Sequence, residues 1–129
     1  MTQNLDLQPA IQIEAEASYL ENKSEPEEEK YAFSYQVRIS NHGQVAARLL
    51  SRHWIITDAN GKVEEVRGQG VVGEQPYLRP GESFHYTSGT VVATPIASMH
   101  GSYQMVTDGG NHFDAQIPPF SLAVPRQLH

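Results

Sequence analysis

No cysteine occurs in the 129-residue chain. This removes disulfide scaffolds, thiolate catalysis and cysteine-ligated zinc or iron–sulfur centres, and it suits a reducing compartment. Long apolar runs are missing as well: none approaches the roughly 18 residues that a spanning helix needs. The start, Met1 to Leu7, carries Asp6 and neither lysine nor arginine, unlike a secretory signal. A cytoplasmic protein without membrane insertion is therefore expected. Basic residues are few, 9 Lys and Arg against 15 Asp and Glu, which argues against broad nucleic-acid binding, since that requires a basic patch for the phosphates. Also missing is any stretch of ten or more residues with the 3–4 spacing of an amphipathic helix. What is present, 39 % hydrophobic residues with 10 glycines and 8 prolines, fits one domain over 1–129, with loose termini at 1–8 and 126–129.

The acidity is local. Residues 1–29 hold eight acids against Lys23, a net of −7, and the remaining hundred residues carry seven acids and eight bases, a net of +1. The negative charge is densest over Glu21–Glu29, where Ser24 and Pro26 also disfavour regular structure, so 21–29 reads as a solvated acidic loop. The neutral body leaves room for a small anion or an acidic peptide.

Apolar residues recur at every second position over short runs, the signature of half-buried strands. Ile11, Ile13, Ala15 and Ala17 form one such face, and Tyr31, Phe33, Tyr35, Val37 and Ile39 form the clearest. Over Val45–Thr57, the residues Leu49, Leu50, Trp54, Ile55 and Ile56 fit no single alternating frame, and a bulge reconciles the two frames. Asn60-Gly61 predicts a tight hairpin into a strand around Lys62–Arg67. Pro80-Gly81 turns the chain into Ser83–Val92. Met99, Gly101, Tyr103 and Met105 alternate next, and Asp108–Asn111 turns into Phe113, Ala115 and Ile117. Proline has no N–H to donate, so Pro118-Pro119 are expected to end ladder pairing, leaving Phe120–His129 as a separate short return and tail. The expected fold is all-β: an immunoglobulin-like or fibronectin type III-like β-sandwich of about seven or more antiparallel strands, with Trp54 as core anchor and a small barrel as the competitor.

Gly68-Gln69-Gly70-Val71-Val72-Gly73 spells G-x-G-x-x-G. In a dinucleotide fold those glycines bring a helix N-terminus to a pyrophosphate, so the motif must open a helix. Here Pro76 and Pro80 forbid that helix, and the glycines read as a loop of turns or positive φ. Consecutive backbone N–H groups in such a loop could still hold a small anion, which makes Arg67, Gly68, Gly70, Gly73 and Arg79 the candidate ligand-binding residues. The six histidines include no H-x-H or H-x-x-x-H pair, so a divalent-cation site would have to be assembled across strands, and no metal ligand is assigned. No nucleophile elbow, zincin motif or spaced acid–base pair occurs, so no catalytic residue and no cofactor are assigned. Arg48 and Arg52, flanking an apolar strand beside His53 and Trp54, are expected to stack on an aromatic ring or to close a loop.

Several ordered motifs together resemble the bacterial ApaG (CorD) family: Arg52-His53-Trp54-Ile55-Ile56-Thr57-Asp58 with Asn60-Gly61, Gly68–Pro76, Leu78-Arg79-Pro80-Gly81, Tyr86-Thr87-Ser88-Gly89, Met99-His100-Gly101-Ser102-Tyr103 and Ile117-Pro118-Pro119-Phe120. The likeness runs from about Ile11 to the C-terminus. It departs at Ala97, where relatives commonly have glycine, a position expected to touch a turn. The resemblance implies a fibronectin type III-like sandwich, an association with cobalt resistance and magnesium efflux, and gene proximity to a diadenosine tetraphosphate hydrolase. It also implies use as a protein-interaction module, as in related domains of F-box and DNA polymerase δ-interacting proteins. It carries no catalytic residue. The expected function is a non-enzymatic binding module for an unidentified protein partner. The alternative is direct binding of a nucleotide pyrophosphate or similar anion at Gly68–Gly73, or of a divalent cation.

Overall fold

A computed structural model of the chain describes residues 10–125; the termini expected to be loose, 1–8 and 126–129, lie outside these residues. Eight strands follow one another: β1 Ile11–Tyr19, β2 Tyr31–Asn41, β3 Ala47–Asp58, β4 Val63–Gln69, β5 Tyr77–Leu78, β6 Ser83–Val92, β7 Ile96–Thr107 and β8 His112–Ala123. They form two antiparallel sheets, β1-β2-β6 and β4-β3-β7-β8, with the short β5 pairing the first residues of β3 beside β4. The alternating runs generate this arrangement directly. Phe33, Tyr35, Val37 and Ile39 of β2 face Leu49, Trp54, Met99, Tyr103, Met105 and Ile117 across the gap between the sheets, and all are buried. The fold is the expected β-sandwich.

Two bulges keep the inward faces in frame. On β3, Leu49 pairs with Met105 and Ser51 with Gln104, leaving Leu50 as the extra residue. The inward series therefore passes from Leu49 to Arg52, Trp54 and Ile56, which answers the frame conflict in the sequence. On β8, Ile117 pairs with Gly101 and Phe120 with Met99. Pro118-Pro119 do not end the ladder, contrary to expectation: they occupy the bulge opposite His100, where no donor is required of them, and pairing resumes at Phe120. Phe120–Ala123 thus belong to β8 and form no separate return. Were both prolines held in regular alternation without the bulge, Phe120 and Leu122 would face solvent.

Trp54 is 2 % exposed and meets aromatic rings from both sheets: Tyr35 at 5.4 Å, Phe120 at 5.9 Å and Tyr103 at 6.3 Å between centroids. Edge-on contacts of this kind add to the burial of the rings themselves. Beside them, the hydroxyls of Tyr86 on β6 and Tyr103 on β7 hydrogen-bond to each other across the sandwich. Three further readings change. Residues 21–29 contain two single 3₁₀ turns: Glu21–Lys23, after which Ser24 Oγ donates to the Leu20 carbonyl, and Pro26–Glu28, closed by the Glu29 N–H donating to Pro26 O. The loop after Gly68 contributes the small strand β5. Ala97 sits within β7, buried and paired with Asp58 and Leu122, rather than on a turn.

Burial raises the Tyr86 hydroxyl above its usual 10.0, and burial followed by the neighbouring Tyr86 raises that of Tyr103 further. The folded protein therefore keeps both protons where the unfolded chain loses them. Their contribution to stability is complete below about pH 10 and declines as the pH rises beyond it. Alkaline titration followed by tyrosinate absorbance and circular dichroism should show these two phenols ionising only as the fold is lost, with stability falling above pH 10. Ionisation of all six tyrosines in the intact fold would contradict this.

Candidate functional site

The bulge residue Leu50 leaves its carbonyl free of the β3–β7 ladder, and the glycine segment is bound to it. Gly70 N–H donates to Leu50 O at 2.8 Å, and Gln75 Nε2 donates to the same oxygen at 2.9 Å. Leu49 N–H donates to Pro76 O at 2.9 Å. Arg48 donates to Gln75 O at 2.8 Å while lying 5.1 Å over the Tyr77 ring. Arg52 donates to Gln69 O at 3.0 Å and to Gly70 O at 2.8 Å. The two arginines thus play the roles expected of them: one stacks, the other closes the loop. Tyr77 donates in turn to Asp108, and that hydrogen bond holds its hydroxyl above the usual tyrosine range.

Within the loop, Val71 and Glu74 exchange backbone hydrogen bonds around Val72 at φ 43° and Gly73 at φ 83°. This is the positive-φ pair of a type I′ turn. The N–H groups of Gly70, Val71 and Glu74 are all spent on carbonyls of the chain itself. Val71 is buried in the core, whereas Val72 at the tip is 55 % exposed. Gly70 has φ 63°, and a Cβ there would lie 2.4 Å from the Glu74 carbonyl oxygen. Gly68 pairs with Arg52 across the ladder, and its missing side chain is where the Arg52 guanidinium passes.

On the outer face of β4, β3, β7 and β8 lies an open depression of about 610 Å³ whose lining includes Ser51, His53, Arg67, Ser102, Gln104 and Asp114. Register alone brings them together: His53 is opposite Arg67 and Ser102, and Gln104 is opposite Ser51 and Asp114. His53 Nε2 donates to Glu65 Oε1 at 2.7 Å, and Arg67 reaches the same oxygen at 3.7 Å. Ser51 donates to Gln104 at 2.8 Å, and Gln104 donates to Ser102 at 2.9 Å. This is a surface of fixed donors and acceptors, with a guanidinium and an imidazole on one carboxylate.

Of the sequence candidates, the structure places Arg67 and Gly68 at this depression. It places Gly70 and Gly73 in the pinned turn, and Arg79 on the Arg79–Glu82 turn, where its N–H donates to Glu82 Oε1 at 2.8 Å. They do not share one depression. Among the described residues no group of three or more histidine or carboxylate side chains stands ready to hold a metal ion. His53, Ser102 and Gln104 were not singled out as site residues in the sequence, because only pairing across three strands assembles them.

A family model described as the ApaG domain matches residues 21–107. The chain belongs to the ApaG family. Curated ApaG proteins of Azoarcus sp. (strain BH72) and Thiobacillus denitrificans are 60 % and 57 % identical to it over 119 residues, 92 % of this chain and 94 % of each relative. The crystal structure of the Bordetella pertussis ApaA protein superposes with a TM-score of 0.89 at 46 % identity, covering 92 % of this chain and 97 % of that one. The matched segment includes the Arg52 clamp, the glycine turn and β5, so the pinned loop lies inside the ApaG domain.

The loop geometry separates two glycines of the same motif. Gly70→Ala must accept both positive φ and a backbone clash and should cost about 2–4 kcal/mol. Gly73→Ala faces open space and should cost about 1–2 kcal/mol. Urea denaturation with unchanged m-values measures the difference, and equal costs would show that the Glu74 contact imposes nothing.

Proposed function

We propose that this ApaG chain is a non-enzymatic protein-interaction module acting in the cytoplasm, and that the Gly70–Pro76 loop is one of its contact surfaces. The observation that carries this reading is Val72. A β-branched residue at positive φ costs free energy that glycine or asparagine would avoid. Here the costly residue is apolar and more than half exposed, so burial returns little of that cost to the fold. Strain at an exposed, rigidly pinned position points to use by a partner. The pinning by Arg48, Arg52 and Gln75 supports the same reading, because a preorganised loop gives up little entropy on binding. The association with cobalt and magnesium phenotypes that the family resemblance implied then works through the partner, with no metal ligand required of this chain.

A test uses the strain itself. Val72→Asn should stabilise the protein by about 0.5–1 kcal/mol in thermal or urea unfolding and should lose or weaken a partner recovered by affinity capture with the native chain. Retention of every partner by the stabilised variant would remove the loop from the interaction.

A second reading, binding of a small anion such as pyrophosphate, is favoured by the outer depression. There Arg67 stands exposed beside Gly68 and His53, and guanidinium groups recognise phosphate by paired donors. Titrating ¹⁵N-labelled protein with pyrophosphate or ATP should then shift the amides of His53, Arg67 and Gly68, and Arg67→Gln should abolish the shifts. No localised shift at millimolar ligand rejects this reading.

A further inference from the structure

The two sheets are not closed on both sides. β1 lies against β8, but on the opposite side β6 and β4 are both edges, and among the described residues no strand joins them. Between them runs a slot made of two adjoining depressions that share Ile56. One, of about 180 Å³, is walled by Tyr35, Arg52, Trp54, Val66 and Met99, with Ser88, Gly89 and Thr90 of β6 along its rim. The other, of about 220 Å³, holds Glu29, Asp58, Lys62, Glu64 and Val91.

Three independent features converge on this slot. First, Trp54 is almost wholly buried, yet its Nε1–H has no partner, alone among the buried side-chain polar atoms of the described residues. A buried donor left unmade is costly and calls for an acceptor. Second, the β6 rim over the slot carries only Ser, Gly and Thr, which leaves its backbone open to an incoming strand, and Val91, 55 % exposed, continues the rim with an apolar side chain. Third, the lower half is negative. Glu29, Asp58 and Glu64 have only Lys62 among them, and none of the four enters a salt bridge among the described residues. Glu64 is set opposite Ile56 on β4, on the face that borders the slot.

We propose that this slot receives an extended, basic segment of a partner protein, which adds to the β6 edge as a further strand. Main-chain groups of Ser88–Val92 hold it, as in other strand additions. Its inward residues are aliphatic and lie over Trp54 and Ile56. Its lysines or arginines reach Glu64, Asp58 and Glu29. A second copy of the chain paired edge to edge through β6 is the wrong occupant on charge grounds, since it would bring its own Glu29, Asp58 and Glu64 toward the same acidic rim. The slot shares Arg52 with the clamp on the Gly70–Pro76 loop but includes neither Val72 nor the turn, so the proposal rests on the interaction-module reading without depending on Val72, and the two fail separately.

The probe is a capped peptide of alternating lysine and valine, Lys-Val-Lys-Val-Lys-Val-Lys, titrated into the ¹⁵N-labelled full chain, with the same peptide carrying glutamate for lysine as control. The single tryptophan supplies one indole resonance. The expected result is a saturable shift of that resonance and of the amides of residues 88–92, weakened about fivefold by Glu64→Lys and absent with the glutamate peptide. Glu64 is exposed, and an unchanged spectrum of the free variant establishes that it folds. Shifts confined to other surfaces, equal binding of the glutamate peptide, or full binding by Glu64→Lys would each overturn the proposal. Concentration-dependent shifts of residues 88–92 without any peptide would overturn it in favour of a second copy.

Discussion

The extra residue in β3 is the constraint on which the remaining geometry depends. With Leu50 looped out of the β3–β7 register, Arg52, Trp54 and Ile56 turn inward behind Leu49, and His53 turns outward. A strand that kept Leu50 in regular alternation instead of bulging would send Trp54 to solvent and His53 into the core. The same bulge frees the Leu50 carbonyl, to which Gly70 and Gln75 donate. Core packing around Trp54, the polar outer face around His53 and the pinned glycine loop therefore share one cause.

The consequence is a sandwich whose β3 edge is divided. Its first residues pair with β5, its last with β4, and the glycine turn spans the interval. Arg52 is the fastener, donating to two carbonyls at the end of β4 while resting over Gly68. Guanidinium donors to carbonyls lying partly out of water are stronger than neutral hydrogen bonds, so the loop gains rigidity without a helix, a metal or a disulfide. The same edge of β3 is therefore rigid at its β5 end and open at its β4 end, where β4 and β6 leave the space between the sheets accessible. Both features favour recognition of protein surfaces, which reward preorganised loops and unsatisfied edges.

Much of the fold was legible in the residues because period-2 alternation has a direct physical meaning: one face is buried, the other wetted. β1, β2, β6 and β7 read off cleanly, and the two competing frames around Leu50 announced the bulge. Pro118-Pro119 were misread because the absence of an N–H ends a ladder only where a donor is required, and a bulge requires none. β5 went unseen because two residues carry no period. Of the site, Arg67, Gly68 and the clamping role of Arg52 could be anticipated from residue type. The convergence of His53, Glu65, Ser102 and Gln104 could not.

By itself, then, the amino-acid order determined the long alternating strands, where most turns fall, which side chains are apolar anchors, and that Gly68–Gly73 is a turn-forming loop rather than the start of a helix. These are local properties, decided by side-chain polarity, proline and glycine stereochemistry within a few neighbours. Only the tertiary structure decided that Arg52 lies over Gly68, that His53 shares a carboxylate with Arg67, that Trp54 keeps an unpaired N–H, and that β4 and β6 stand apart. Those facts follow from register between strands distant in sequence and from the packing of one sheet on the other. A shift of one residue reverses every face, and no local pattern encodes both partners of such a pairing.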